Sequence, residues 1–112
     1  MLEVVCEVLC RLPTAQVVGE RTVLAALSRL ETEAFDLLVT DLRVPPTSGL
    51  KLIERARELR PGMQVVAITG YPTAQNAQRC RELGTAAYLR KPFDPLALLA
   101  LVERLLTPPE AP

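Results

Sequence analysis

Residues 35–49 read Phe-Asp-Leu-Leu-Val-Thr-Asp-Leu-Arg-Val-Pro-Pro-Thr-Ser-Gly, and this stretch decides the fold. Its short apolar run, Leu37 to Val39, lies just ahead of a cluster of turn residues, which is typical of a strand buried on both faces. Asp41 follows where the predicted strand ends. Ligands of open parallel sheets bind at the carboxyl ends of the strands. Asp41 is therefore either a functional carboxylate or a solvated cap of the following loop.

Composition narrows the class of protein. The chain has 112 residues, 49% of them hydrophobic, which suits one domain with its own core. Thirteen basic and thirteen acidic residues cancel, which argues against direct nucleic-acid binding and against an anionic membrane surface. The sequence has no histidine, and its three cysteines lack paired metal-ligand spacing. Without a signal peptide or a long apolar span, the sequence predicts a cytoplasmic protein.

Helical and strand patterns alternate along the whole chain. Because helices alternate with short apolar strands, we expect an α/β domain with a parallel sheet and helices on both faces. The five predicted helices cover residues 2–12, 22–30, 49–59, 73–83 and 94–106. The four predicted strands cover residues 16–20, 35–40, 64–69 and 86–90. The domain is expected to span residues 1–107, followed by a disordered tail at 108–112.

Three polar side chains follow three of the predicted strands. Asp41, Thr69 and Lys91 stand at strand ends, so a doubly wound sheet brings them to one crevice. A carboxylate, a hydroxyl and an ammonium group there suit a phosphoryl group on Asp41, because carboxylates form aspartyl phosphates. The alternative is a structural Asp–Lys pair that stabilises the strand ends.

Three motifs extend this pattern: Val-Thr-Asp-Leu-Arg-Val-Pro-Pro-Thr-Ser-Gly, Val-Val-Ala-Ile-Thr-Gly-Tyr and Ala-Ala-Tyr-Leu-Arg-Lys-Pro-Phe. In their order and spacing the chain resembles the receiver domain of bacterial two-component response regulators. The resemblance covers essentially the whole chain. It implies a flavodoxin-like, doubly wound parallel sheet.

The resemblance also implies a role for each site residue. Asp41 matches the phosphoacceptor and Lys91 the phosphate-contacting lysine. Thr69 matches the switch hydroxyl and Tyr88 the switch aromatic. The expected cofactor is Mg²⁺, held by Asp41 and by the backbone carbonyl of Arg43.

Two bulky residues flank the expected phosphoryl site. Arg43 and Tyr71 lie two residues beyond Asp41 and Thr69, where the resemblance implies an influence on phosphate lifetime. If their side chains hinder the attacking water, a complete form of the domain holds its phosphate relatively long. The alternative is that both side chains point to solvent.

The chain departs from the family at its start. Receivers begin with an apolar strand that ends in an acidic pair, whereas Met1 lies only forty positions before Asp41, where the family already has its first helix. We therefore expect an N-terminal truncation that removes the first strand and the pair, and we favour a late start or a shortened form over a naturally headless receiver. Glu3 and Glu7 lie along the helix and do not replace the pair. Because magnesium needs several oxygen ligands, phosphorylation of this chain on Asp41 is expected to be weak or absent.

The resemblance implies protein partners and no enzymatic activity. A sensor histidine kinase would donate the phosphoryl group, and a downstream effector or output domain would read the switch. The last helix carries a broad apolar stripe, which is a candidate homodimer face: Leu98, Leu99, Leu101, Val102, Leu105 and Leu106. The alternative is a phosphorylation-independent pseudo-receiver that acts as a protein-interaction or dimerisation module. An enzyme of the flavodoxin type is poorly supported, since the phosphate-cradling loop that it needs is absent.

Overall fold

The structure, a computed structural model, describes residues 2–12, 16–20, 22–44, 47–70 and 73–106. The chain divides into two units, one over residues 20–92 and the other formed by the described parts of 1–19 and 93–112. The tail predicted at 108–112 lies outside the described residues.

The larger unit, residues 20–92, contains the sheet. Along the chain it has α2 (Val23–Thr32), β1 (Leu37–Asp41), β2 (Arg43–Val44), β3 (Thr47–Ser48), α3 (Gly49–Leu59), β4 (Gln64–Thr69), α4 (Ala74–Glu82) and β5 (Ala87–Arg90). Strands β1, β4 and β5 form a parallel sheet in the order β1-β4-β5. The two-residue strands β2 and β3 pair antiparallel. The predicted α/β class with a parallel sheet is confirmed.

The core of this unit forms around β4. Its residues Val65, Val66, Ala67 and Ile68 are all fully buried, and because side chains alternate along a strand, both of its faces are covered. One cluster joins β4 to α3 and α4 through Val65, Ala67, Ile53 and Cys80. A second cluster packs α2 against α3: Val23, Leu30, Leu52, Ala56 and Met63. The helical spacing of these apolar residues produces the buried stripes.

An arginine fastens α2 to the end of α3. Arg60 donates hydrogen bonds to the carbonyl oxygens of Leu30 and Glu33, at 3.1 and 3.0 Å. Carbonyl groups at a helix C-terminus have no partner within the helix, and a cation also complements the helix dipole there. Arg60 therefore stabilises the C-terminal end of α2.

The strand predicted at 16–20 is wrong. These residues have no regular secondary structure. A strand forms where a neighbour satisfies its backbone groups, and no described strand pairs with residues 16–20. Within the described residues the parallel sheet therefore has three strands, and β1 is an edge strand whose neighbour is β4.

The smaller unit contains α1 (Leu2–Leu9) and α5 (Pro95–Leu106). Asp94 caps α5, because its Oδ1 accepts a hydrogen bond from the Leu96 amide at 2.9 Å, and Pro95 occupies the first helical position, where proline is favourable. Of the apolar stripe on α5, Leu98 and Val102 are buried and the other members are partly exposed. In the described part of the chain, no helix is long and apolar enough to cross a membrane.

Candidate functional site

Asp41 and Lys91 meet at the carboxyl end of the sheet. Lys91 Nζ donates a hydrogen bond to Asp41 Oδ2, so the two side chains form an ion pair. The Asp41 side chain is 16% exposed and that of Lys91 33%, so the pair is sheltered yet reachable from solvent. The sequence prediction that these two residues come together is confirmed.

Strand register brings Thr69 to the same edge. Asp41 pairs with Ile68 across β1 and β4, and Thr69 pairs with Arg90 across β4 and β5. The backbone amide of Lys91 donates to the Thr69 carbonyl at 2.7 Å. The Thr69 side chain is buried, with 1% of the residue exposed. Asp41 and Thr69 therefore end β1 and β4, and Lys91 directly follows β5, so all three stand at strand ends as the sequence predicts.

Gly49 lies against the backbone of Asp41 and Leu42. A Cβ atom on Gly49 would lie 2.1 Å from the Asp41 carbonyl oxygen and 2.8 Å from Leu42 Cα. The Gly49 amide also donates to the Leu42 carbonyl at 2.9 Å. The first residue of α3 thus contacts the backbone that carries the carboxylate, and only glycine fits there. At Gly70, by contrast, an added Cβ would make ordinary contact with Lys91, the nearest atom at 3.8 Å.

Tyr88 lies one row below Thr69 on the same face of the sheet. It pairs with Ala67, and its ring packs against the cluster that contains Cys80. The Tyr88 hydroxyl is buried and has no hydrogen-bond partner among the described residues. Burial raises the pKa of the Tyr88 hydroxyl, and burial also raises the pKa of the Cys80 thiol. Both groups are therefore neutral at physiological pH.

The structure does not describe the side chains of the two residues predicted to influence phosphate lifetime, Arg43 and Tyr71. Arg43 begins β2, where its backbone pairs with that of Ser48. The structure describes the backbone of Arg43 and not its side chain, and Tyr71 lies outside the described residues. Their effects on phosphate lifetime stay predictions.

The residues at the site fit a magnesium ion only in part. In the described ranges no group of three or more His, Cys, Asp and Glu side chains is placed to hold a metal. Magnesium usually keeps several waters and binds through one or two carboxylates together with substrate phosphates. Among the described residues, Asp41 is the carboxylate that the three strand ends provide for such an ion.

This geometry suits an acceptor for a negatively charged group. Asp41 offers a carboxylate nucleophile, and the Lys91 ammonium offsets negative charge beside it. The tight contact with Gly49 fixes the backbone of Asp41. A carboxylate held in this way can accept a phosphoryl group, and the cation can stabilise the added charge.

Sequence reasoning missed two residues that organise this part of the molecule. It predicts Gly49 only as a turn glycine, although the structure requires glycine for contact with Asp41. It assigns no role to Arg57, which hydrogen-bonds four backbone carbonyls. An arginine on the polar side of an amphipathic helix has no sequence signal that separates it from a solvated one.

Comparison with known proteins shows the family to which the chain belongs. The sequence model of the family described as "Response regulator receiver domain" matches residues 1–103. A protein from Leptolyngbya boryana, described as an uncharacterized 14.6 kDa protein in the sodA1 3' region, is 42% identical over 90 residues, which are 77% of this chain and 69% of that protein. The photosynthetic apparatus regulatory protein RegA of Rhodobacter capsulatus is 38% identical over 95 residues, 81% of this chain and 52% of its own length. The chain thus spans about half of RegA.

A solved structure resembles the fold closely. The crystal structure of a response regulator receiver domain protein (CheY-like) from Methanospirillum hungatei superimposes with a TM-score of 0.85 at 32% sequence identity. The match covers 93% of this chain and 83% of that protein.

Proposed function

Because the chain belongs to the response regulator receiver domain family, we propose that it accepts a phosphoryl group on Asp41 in a phosphorelay. The observation that carries this proposal is the ion pair between Asp41 and Lys91 at the carboxyl end of the sheet. The donor that we propose is the phosphohistidine of a sensor histidine kinase. Receiver domains are signalling domains, and we assign no catalytic turnover to this one.

The transfer itself is a displacement at phosphorus. A carboxylate oxygen of Asp41 attacks the phosphorus, and the bond from phosphorus to the donor breaks as the donor takes its electron pair. Lys91, already bonded to Asp41 Oδ2, remains beside the new phosphoryl oxygens and offsets their charge. Any bound magnesium would neutralise charge on the phosphoryl oxygens. Because magnesium usually binds through one or two carboxylates together with phosphate oxygens, we expect the transfer to depend on the magnesium concentration.

We propose that Thr69 and Tyr88 report the change to a partner. Phosphorylation adds negative charge beside the end of β4, where Thr69 is the residue that matches the family's switch hydroxyl. The buried Tyr88 hydroxyl has no described partner, so its present position carries a desolvation cost that a rearrangement can relieve. A downstream effector or an output domain would then bind the altered face. A homodimer through α5 and a cytoplasmic location remain predictions of the sequence.

Intact mass after incubation with acetyl phosphate and magnesium tests the proposal. We expect a single phosphoryl adduct at low yield in the unmodified chain and no adduct in Asp41→Asn. Asp36→Asn is the matched control, because Asp36 is exposed and precedes the other end of the same strand. Lys91→Ala should lower the yield further, since the charge beside Asp41 is then uncompensated.

The result that would overturn this function is equally specific. If folded protein gives no Asp41-dependent adduct at any magnesium concentration, phosphotransfer to Asp41 of this chain is excluded. Binding to a partner that is unaffected by Asp41→Asn would then support the alternative, a phosphorylation-independent interaction module.

A further inference from the structure

We propose that Arg57 holds the C-terminal end of α4 as a pivot, so that switching moves the N-terminal end of α4. This inference rests on the proposed phosphorylation of Asp41. Arg57 acts as a positioning residue, because it touches neither Asp41 nor Lys91 and exerts its effect through the helix that it anchors.

Arg57 of α3 binds the chain just beyond α4. Its Nε donates to the Leu83 carbonyl at 2.8 Å, and its Nη2 donates to the Gly84 carbonyl at 2.5 Å. Its Nη1 reaches back to the carbonyls of Met63 at 2.6 Å and Pro61 at 3.3 Å. One guanidinium thus links the end of α4 to the turn that precedes β4. The positive charge also complements the C-terminal end of the α4 dipole.

Two further contacts anchor the same end of α4. Arg79 Nη2 forms an ion pair with Glu54 Oε1 of α3 at 2.7 Å. Cys80 is 1% exposed and packs with Ile53 of α3. The backbone then turns at Gly84, which has a φ of 74° that favours glycine. The contacts between α3 and α4 therefore concentrate in residues 79–84.

The N-terminal half of α4 lacks comparable anchors. Thr73 caps the helix by accepting the Asn76 amide at 3.0 Å, which is a bond within the helix. Thr73, Ala74 and Gln75 are exposed, and Cys80 is the buried residue of α4. Among the described residues, the side-chain hydrogen bonds of 73–78 stay inside this segment. This end of α4 follows Thr69, the last residue of β4, along the chain.

The asymmetry defines how α4 can move. Displacing its C-terminal end would break the Arg57 fork, the Arg79–Glu54 pair and the burial of Cys80 together. Displacing its N-terminal end costs little packing, because that segment buries almost no side chain. A change at Thr69 is therefore expressed as a tilt of α4 about residues 79–84.

Amide hydrogen exchange read by mass spectrometry tests this inference in two arms. In the unphosphorylated protein, Arg57→Ala should speed exchange at the amides of Leu83, Gly84 and Thr85 by roughly tenfold, because these amides close the C-terminal turn. Arg57→Lys, which keeps the charge but lacks the planar fork, should give a partial effect. Arg55→Ala is the matched control, since Arg55 pairs with Glu58 on its own helix. Unchanged exchange at 83–85 in Arg57→Ala overturns the anchor.

The second arm uses acetyl phosphate and magnesium on the unmodified chain. We expect exchange to change within residues 73–78 and to stay constant within 79–85, and we expect the change to spread into 79–85 in Arg57→Ala. An adduct seen by mass, with equal changes over 73–78 and 79–85 in the unmodified chain, overturns the pivot alone. The absence of any Asp41-dependent adduct overturns the proposed function, and the pivot with it.

Discussion

Helices α3 and α4 pack in one hydrophobic cluster, yet they are held in different ways. Helix α3 buries Gly49, Leu52, Ile53 and Ala56 and is fixed at both ends, by the Gly49 backbone contact and by the bonds of Arg57. Helix α4 buries Cys80 and is fixed at its C-terminal end. This difference indicates that α3 holds the backbone of Asp41 in place, whereas the N-terminal end of α4 can move when the site changes.

The free-energy contributions that hold α3 and α4 differ in size and in kind. A buried apolar side chain contributes about 1.5–3 kcal/mol, so the α3 stripe stabilises its position by several such increments. Burial of Cys80, the buried residue of α4, contributes less free energy than the burial of the α3 side chains. A hydrogen bond from a charged group contributes about 1.5–3 kcal/mol when it is sheltered. For α4 this figure applies to the part-buried bond from Arg57 to the Leu83 carbonyl, whereas the bond from Arg57 to the Gly84 carbonyl is exposed and contributes less. Polar contacts at one end therefore replace apolar packing along the helix.

The largest expected effect tests the rigid end of α3. Gly49→Ala places a Cβ at 2.1 Å from the Asp41 carbonyl oxygen, so backbone must move. We expect the free energy of unfolding to fall by about 3 kcal/mol or more, at the upper end of overpacking costs. Urea denaturation measures this change.

Gly62→Ala is the matched control for that substitution. No atom lies within 4 Å of a Cβ built on Gly62. Its unfolding free energy should stay within about 0.5 kcal/mol of the unmodified chain. Equal stability of the Gly49 and Gly62 variants would show that α3 is not rigidly seated against Asp41, and the comparison would fail.

A smaller change in stability is expected from substitutions at Tyr88, the residue that we propose takes part in the switch. Tyr88→Phe removes a buried hydroxyl that has no described partner. We expect the variant to be as stable as the unmodified chain or more stable by about 1 kcal/mol, because an unsatisfied polar group is no longer desolvated. Urea denaturation at constant pH measures it, with Tyr88→Ala as the variant that loses the ring and about 3–5 kcal/mol. A clear loss of stability in Tyr88→Phe would mean that the hydroxyl makes a stabilising bond.

The smallest effect concerns the ion pair between the two helices. The hydrogen bond from Arg79 holds the pKa of Glu54 below its ordinary value of 4.5, against a smaller opposing contribution from desolvation. A lowered pKa stabilises the fold above the ordinary value, and that stabilisation is lost as the pH falls through the folded-state pKa. Glu54→Gln should therefore lower the Tm slightly at pH 7, and the difference should vanish in acid.

Thermal unfolding between pH 7 and pH 3 measures this difference. The same Glu54→Gln change in an Arg79→Ala background is the control, because the hydrogen bond that lowers the pKa is then gone. A Tm difference that persists unchanged in acid would contradict the assigned cause.

Much of the fold follows from local pattern, and the exceptions have physical causes. The β4 strand and the α3 helix match their predicted bounds because their apolar periodicity and turn residues agree. The strand predicted at 16–20 does not form, since strand formation depends on a paired neighbour as well as on propensity. The grouping of Asp41, Thr69 and Lys91 follows from parallel topology, which places strand ends together.

Other features of the site depend on contacts between distant residues. Local sequence signals a turn at Gly49 but not the Asp41 carbonyl that lies against it. Arg57 bonds to carbonyls up to 27 residues away, which a helical pattern cannot reveal. The burial of the Tyr88 hydroxyl, which has no partner among the described residues, likewise depends on the packing of Cys80 and its neighbours.

The most direct test of the central claim locates the phosphoryl group in the chain. Borohydride reduction of protein treated with acetyl phosphate and magnesium converts an aspartyl phosphate to homoserine, and peptide mass spectrometry reads its position. We predict homoserine at position 41 alone, in a fraction that rises with magnesium concentration. Homoserine at Asp36 or Asp94 in place of Asp41, or none in folded protein, would contradict the assignment of Asp41 as the phosphoacceptor.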